Sequence, residues 1–168
     1  QRQMCIRDRQ EAESKINQID KDIVWHFIGS IQTRKTKKIA TLFDWVHTVD
    51  NLKIAERLNE ARPISRGKLN ICLQVNIDNE DTKSGVPIDK IESMLIDLIK
   101  LKNIKTRGLM IIPKPRESSE EMGEVFSFLN LCRAIFLEIS PKTVRQKGQQ
   151  CAQIFLTHAL AEFKICGK

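Results

Sequence analysis

The sequence predicts an α/β fold in which strands and helices alternate as part of a (β/α) barrel. Three stretches carry this prediction, because each resembles a strand that runs into a polar turn and then into a helix. They are IVWHFIGSIQTRKTKKI, FDWVHTVDNLKIAERLN and LQVNIDNEDTKSGV. Since the binding chemistry of such barrels gathers at the carboxyl ends of the strands, function is expected at these turns.

The remaining elements follow from the spacing of apolar residues. Residues 10–16 have helix composition, with Ala12, Ile16 and Ile19 on one face. Strands are predicted over residues 23–29, 44–49, 69–77 and 105–113, and helices over 34–43, 51–61, 88–102 and 119–139. One helix face is expected to comprise Ile88, Ile91, Leu95, Leu98 and Ile99, and another Met122, Val125, Phe126, Leu129 and Phe136.

The strand over residues 69–77 distinguishes a barrel from an open sheet, because its two faces differ. One face is apolar and the other largely polar, whereas an open parallel sheet covered by helices on both sides would need two apolar faces. A solvated antiparallel strand is the alternative. The apolar row is Leu69, Ile71, Leu73, Val75 and Ile77, and the other row is Asn70, Cys72, Gln74 and Asn76.

Length and composition restrict the class of protein. At 168 residues and 41% apolar content, the chain is expected to form a single core. A complete eight-stranded barrel usually needs about 200 to 250 residues. Four clear strands therefore indicate either an open sheet or an incomplete barrel. No stretch has the length and apolar character of a membrane span or an export signal, so a cytoplasmic location is expected.

Charge and cysteine content argue against several kinds of site. The five cysteines are scattered and form no C-x-x-C pair, which disfavours a metal site or a disulfide framework. The net charge of +7 would suit nucleic acid, yet the chain has no tyrosine, 5% aromatic residues and no nucleic-acid-binding motif. We therefore expect no nucleic-acid partner. Nucleotide-binding, hydrolase and zinc-protease motifs are also absent.

Several polar residues lie where a ligand could be held. His26 and His47 sit within strands, where each could face a bound ring or be a hydrogen-bonded core histidine. The basic run from Arg34 to Lys38 lies at a predicted helix start, where either a bound anion or acidic neighbours would offset the positive charge. The polar loop after residue 75 has Lys83 as its cation, which would form an ion pair or line the site.

Four ordered motifs resemble those of the pyridoxal phosphate homeostasis proteins, a family related to the alanine racemase N-terminal barrel. The motifs are WHFIGSIQTRKTKKI, HTVDNLKIAERLN, LQVNIDNEDTKSGV and RGLMIIPKP, and the similarity covers residues 10–136. The resemblance implies a partial (β/α)8 barrel that carries pyridoxal 5'-phosphate and has no catalytic turnover. The cofactor-binding residues it implies are His26, Asn76, Lys83 and Met110; it implies no catalytic residue and no metal ligand.

The chain departs from the family pattern in identifiable places. The family holds its cofactor as a Schiff base on a lysine in a V-[AS]-K-T-K-like motif, and it binds phosphate through later serine- and glycine-rich segments. Neither motif is present, so this chain is expected to bind the cofactor weakly. Ser30 replaces a frequent proline and Arg34 a frequent asparagine. Residues 1–9 are interpreted as a non-native leader, 10–140 as the partial barrel and 141–168 as a divergent, possibly frameshifted tail.

Two alternatives remain at this point. An amino-acid racemase of the same superfamily would use the Schiff-base lysine and a tyrosine as its two bases. A basic nucleic-acid-binding domain would show affinity that falls steeply with salt. The favoured interpretation is a monomeric cofactor-binding protein whose partners are pyridoxal phosphate and enzymes that need it.

Overall fold

A computed structural model describes residues 2–16, 18–19, 23–114, 118, 120, 123, 125–128 and 130. Within this part of the chain, strands and helices alternate from the first element to the last. The strands are β1 (Arg2–Ile6), β2 (Ile23–Phe27), β3 (Trp45–Val49), β4 (Leu69–Val75) and β5 (Ile104–Ile111). The helices are α1 (Arg9–Ile16), α2 (Thr36–Leu42), α3 (Leu52–Ala61) and α4 (Ile91–Ile99).

The five strands form one sheet in the order β1-β2-β3-β4-β5, and every neighbouring pair is parallel. Each strand therefore lies beside the next strand in sequence, which is the order of a (β/α) barrel. A doubly wound open sheet would instead reverse direction partway across. The parallel arrangement predicted from the alternating pattern is confirmed.

The core lies between the helices and one face of the sheet. Ile71 and Leu73 of β4 are fully buried there, as are Val46 of β3 and Leu58 of α3. The helices cover this face because their apolar side chains recur every three or four residues. Residues on the opposite face, here called the inner face, alternate with these core residues along each strand.

The polar row of β4 lies on the inner face and does not point into bulk water. Cys72 is 2% exposed and Gln74 is 8% exposed, while Asn70 is half-buried. These values, with parallel neighbours on both sides of β4, exclude the solvated antiparallel alternative. The inner face is thus a second, more polar interior, as expected of a barrel.

Two predicted helices begin later than the sequence pattern indicated. The chain forms 3-10 turns at Thr33–Lys35 and Ile88–Lys90 before α2 and α4. The predicted apolar face of α4 was also wrong at its ends, since Ile88 and Ile99 are 41% and 42% exposed. Met94 is buried instead. Leu95 and Leu98 are buried as predicted.

A buried arginine closes the connection between α2 and β3. Arg62 is 4% exposed, and its Nη1 donates to the carbonyl oxygens of Ala40 and Phe43, both at 2.7 Å. Its Nε and Nη2 donate to the carbonyls of Gly67 and Arg66. The guanidinium therefore satisfies carbonyls that the end of α2 leaves without helical partners.

Both ends of the described chain bear on the sequence interpretation. Residues 2–6, within the segment interpreted as a leader, form edge strand β1 and pair with β2. Their native or non-native origin stays a prediction. Most of the predicted helix over 119–139 and the whole tail over 141–168 lie outside the described residues. No helix of the described part is long and apolar enough to cross a membrane.

Candidate functional site

The carboxyl ends of the parallel strands meet at one edge of the sheet, here called the strand mouth. The loop over residues 76–86 follows β4 at this edge, and Asp50 follows β3 directly. Three of the four predicted cofactor-binding residues belong to β4, β5 or this loop. They are Asn76, Lys83 and Met110.

Asn76 organises the loop that it begins. Its Nδ2 donates to the carbonyl oxygens of Glu80 at 2.8 Å and Lys83 at 3.3 Å, and its Oδ1 accepts from the Glu80 backbone N–H at 3.2 Å. The side-chain amide thus substitutes for backbone partners that an irregular loop lacks. Its predicted role in cofactor binding stays a prediction.

Gly85 lets the loop return close to β4. Its φ is +142°, and a Cβ at this position would lie 2.6 Å from the Asn76 backbone nitrogen. The following residue, Val86, forms a parallel bridge with Val75, the last residue of β4. A glycine is therefore required by both the backbone conformation and the space available.

Lys83 lies at the edge of the strand mouth and is already paired. Its Nζ is 2.7 Å from Glu80 Oε1 and donates to the carbonyl of Ile112 at 3.4 Å. A second tie joins the same segments, because the Lys114 backbone N–H donates to Asp78 Oδ2 at 2.7 Å. Both contacts fasten the loop to the chain that leaves β5.

Met110 and Gln74 are neighbours across β4 and β5. They are register partners, so their side chains leave the same face of the sheet. Met110 is half-buried, whereas Gln74 is 8% exposed and donates from Nε2 to the Ser84 carbonyl at 2.8 Å. Met110 thus supplies an apolar surface beside a fixed amide at the strand mouth.

Asp50 is a half-buried carboxyl group at the same edge. The Nδ2 of Asn51 donates to its Oδ1 at 2.8 Å, and the Ser84 hydroxyl also bonds to its side chain. Asn51 is itself the N-cap of α3, since its Oδ1 accepts from the Ile54 N–H at 2.9 Å. Burial raises the pKa of Asp50 above its ordinary value, and these hydrogen bonds offset part of that effect.

His26 and His47 form a pair in the middle of the inner face. His26 Nδ1 lies 2.8 Å from His47 Nε2, and the two side chains are 1% and 4% exposed. The Trp45 ring stacks on both imidazoles, with centroids 5.4 Å from His26 and 5.8 Å from His47. The interpretation of His26 as a hydrogen-bonded core histidine therefore describes its position well.

The opposite end of the inner face holds a separate polar cluster. Arg107 lies over the Trp45 ring at 5.5 Å, and its Nε donates to Asn70 Oδ1 at 2.7 Å. Asn70 donates in turn to the Asp44 carbonyl. Because these groups lie toward the amino ends of the strands, they are expected to stabilise the barrel.

The basic run near α2 has an acidic neighbour. Lys38 pairs with Glu13 of α1 at 2.8 Å, and Glu13 also receives Arg9 at 2.7 Å. Arg34 donates to the side chain of Gln32 at 3.3 Å. Of the two explanations for this run, the acidic neighbour therefore applies to Lys38. Among the described residues, no three His, Cys, Asp or Glu side chains are arranged to hold a metal ion.

Sequence reasoning missed three polar residues at or near this site. Asp50 and Ser84 were seen only as members of polar turns, and Gln74 only as a member of the polar row of β4. The position of Asp50 directly after a strand was the available signal. Nothing in the spacing indicated that the loop would bring Ser84 back to Asp50, 34 positions away in the sequence.

Comparison with known proteins gives a consistent result. Residues 1–145 match the family model described as alanine racemase, N-terminal domain. The pyridoxal phosphate homeostasis protein of Pseudomonas aeruginosa is 42% identical over 132 residues, which are 78% of this chain and 56% of that protein. The protein of the same name from Escherichia coli is 37% identical over 74% of this chain and 55% of its own length. The chain thus spans about half the length of these curated relatives.

Solved structures show the same fold. PipY of Synechococcus elongatus without PLP has a TM-score of 0.72 and 28% identity, covering 89% of this chain and 67% of PipY. The PLP-bound form of PipY has a TM-score of 0.69 with 27% identity, covering 89% of this chain and 66% of PipY. An alanine racemase from Clostridium difficile, at 15% identity and a TM-score of 0.61 over 82% of this chain and 36% of its own, shares the fold alone.

Proposed function

This chain belongs to the alanine racemase N-terminal domain family, and from that premise we propose that the protein binds pyridoxal 5'-phosphate and serves in its homeostasis without catalysing a reaction. Its fold is a partial (β/α)8 barrel of the alanine racemase N-terminal type. The curated relatives described above are named for this role, and a PipY structure contains PLP. These similarities support the proposal.

One structural observation carries the proposal furthest. The polar inner face and the loop over residues 76–86 meet at the carboxyl edge of parallel strands, where a barrel of this type binds its ligand. Gln74, Asp50 and Ser84 are held there by hydrogen bonds within the protein. A ligand would therefore meet polar groups that are already in position.

The residues at the strand mouth fit the ring of the coenzyme. Met110 offers an apolar surface for a planar heterocycle, and fixed amide, hydroxyl and carboxyl groups lie beside it. The coenzyme's aldehyde can react with a free amine when it is bound. Lys83 is paired with Glu80 at 2.7 Å, and the family's lysine motif is absent from the sequence, so contacts at this mouth are expected to be noncovalent.

The affinity expected of this chain is correspondingly modest. A few hydrogen bonds, each contributing about 0.5–1.5 kcal/mol, together with the apolar contact of a small ring correspond to a dissociation constant of about 0.1–1 mM. We further propose a monomer located in the cytoplasm, with apo-enzymes that require the cofactor as its recipients. No nucleic-acid partner is proposed.

The proposal can be tested on the full chain with two ligands. Pyridoxal 5'-phosphate should show saturable binding by ligand-observed NMR, and Met110→Ala should weaken it about threefold or more, since the variant removes apolar contact. Thr41→Ala, an exposed change on α2, is the matched control. Absence of saturable binding, or equal binding by Met110→Ala, would contradict the proposed site.

The non-catalytic part of the proposal needs its own measurement. The protein loaded with coenzyme should not change the optical rotation of L-alanine over many hours. The complete sequence contains no tyrosine to act as a racemase's second base. Measurable racemisation that depends on protein concentration would replace the homeostasis role with an enzymatic one.

A further inference from the structure

Asp50 has an environment that its own protein does not fully satisfy. Its hydrogen-bond donors are the neutral amide of Asn51 and the neutral hydroxyl of Ser84. No lysine or arginine among the described residues forms an ion pair with it. Carboxylates withdrawn from water are normally paired with a cation, so Asp50 has a vacancy for a positively charged partner.

The position of Asp50 makes a ligand the natural source of that partner. It directly follows β3 at the strand mouth, and Ser84 joins it to the loop after β4. The Ser84 carbonyl is bonded to Gln74, so the carboxyl group is held from two sides of the mouth. Burial raises its pKa, an unfavourable effect at neutral pH that a bound cation would offset.

We propose that Asp50 accepts a hydrogen bond from an ammonium group of the bound ligand, so that the site prefers the amine form of the coenzyme, pyridoxamine 5'-phosphate. This inference rests on the proposed function and adds a chemical preference to it. The ammonium group replaces water at the Asp50 carboxylate, and no bond is made or broken. The aldehyde and alcohol forms lack this positive charge and gain no such contact.

Two ligands that differ at one group provide the test. Pyridoxamine and pyridoxine 5'-phosphates carry an ammonium and a hydroxyl at the same position, and neither forms a Schiff base with surface lysines. NMR titration of the full chain near neutral pH should show about fivefold to tenfold tighter binding of the amine, as a charge-assisted hydrogen bond contributes.

Three variants separate the interpretations. Asp50→Asn should bring the ratio of the two affinities close to one, whereas Asp81→Asn, an exposed loop control, should leave it unchanged. Ser84→Ala tests whether Asp50 acts only by holding the loop. Acceptance of the ammonium predicts that Ser84→Ala retains the preference, while a purely structural role predicts that it loses it as Asp50→Asn does.

A measurement on the unmodified chain covers the case in which Asp50→Asn fails to fold. Lowering the pH through the range where Asp50 gains a proton should abolish the preference, and the phosphate groups of the two ligands titrate alike and cancel. Equal affinities near neutral pH, or a ratio unaffected by Asp50→Asn, would overturn this inference alone. Failure of both ligands to bind would overturn the proposed function as well.

Discussion

The Nδ1 atom of His26 and the Nε2 atom of His47 lie 2.8 Å apart across neighbouring strands β2 and β3, in a part of the sheet from which water is excluded. One of these nitrogens must carry the proton and the other must accept it. The bond therefore couples the protonation states of two strands and fixes their side chains under the Trp45 ring.

Replacing His47 by alanine should lower the free energy of unfolding by about 2–4 kcal/mol, because it removes this hydrogen bond and leaves a cavity beside Trp45. Urea denaturation followed by circular dichroism measures the loss. A double-mutant cycle with His26→Ala should give a coupling of about 0.5–1.5 kcal/mol. Additive losses would show that the two imidazoles do not stabilise one another.

Arg62→Lys should be nearly as harmful as Arg62→Ala, with a loss of about 3 kcal/mol or more in each case. The ammonium of lysine cannot reproduce a fork that donates to four carbonyl oxygens, and the substitution leaves several of them buried and unpaired. Arg57→Ala, on the exposed side of α3, is the matched control and should change stability by less than about 0.5 kcal/mol. A tolerated lysine at position 62 would contradict this account.

Two glycines with positive φ should respond differently to alanine. Gly67→Ala meets no atom within 4 Å and should cost about 1 kcal/mol, from its φ of +65° alone. Gly85→Ala should cost about 2–4 kcal/mol, because the new Cβ also collides with the Asn76 backbone. Limited proteolysis should detect loosening of the loop over residues 76–86 only in the second variant.

The stability difference between the wild-type chain and Asp50→Asn should depend on pH in a defined direction. Because burial raises the pKa of Asp50 in the folded state, its protonated form is favoured by folding, and this contribution is lost as the pH rises through that value. Asp50→Asn should therefore gain stability relative to wild type toward neutral pH, with little difference below about pH 4.

Glu13→Gln provides a comparison of opposite sign. Lys38 and Arg9 lower the pKa of Glu13, so its stabilising contribution exists at neutral pH and disappears as the pH falls through the lowered value. Thermal melts of both variants between acid and neutral pH would check the two signs together. The same sign for both would contradict the assigned environments.

The sequence by itself determined the alternation of strands and helices, the parallel sheet and the edge at which polar residues gather. These features follow from local spacing, since apolar side chains at periods near two and 3.6 specify which face each element buries. The ends of elements were less well determined. Ile88 and Ile99 fit the apolar period of α4 but lie outside the contact with the sheet.

Only the tertiary structure decided which polar groups meet. His26 with His47, Arg62 with the end of α2, and Ser84 with Asp50 are pairs separated by 21 to 34 positions, or nearly so, and no local pattern encodes them. Each depends on strand register and on how a loop returns across the sheet edge. The chain's periodicity thus placed the site at the strand mouth, whereas packing selected the atoms that could bind there.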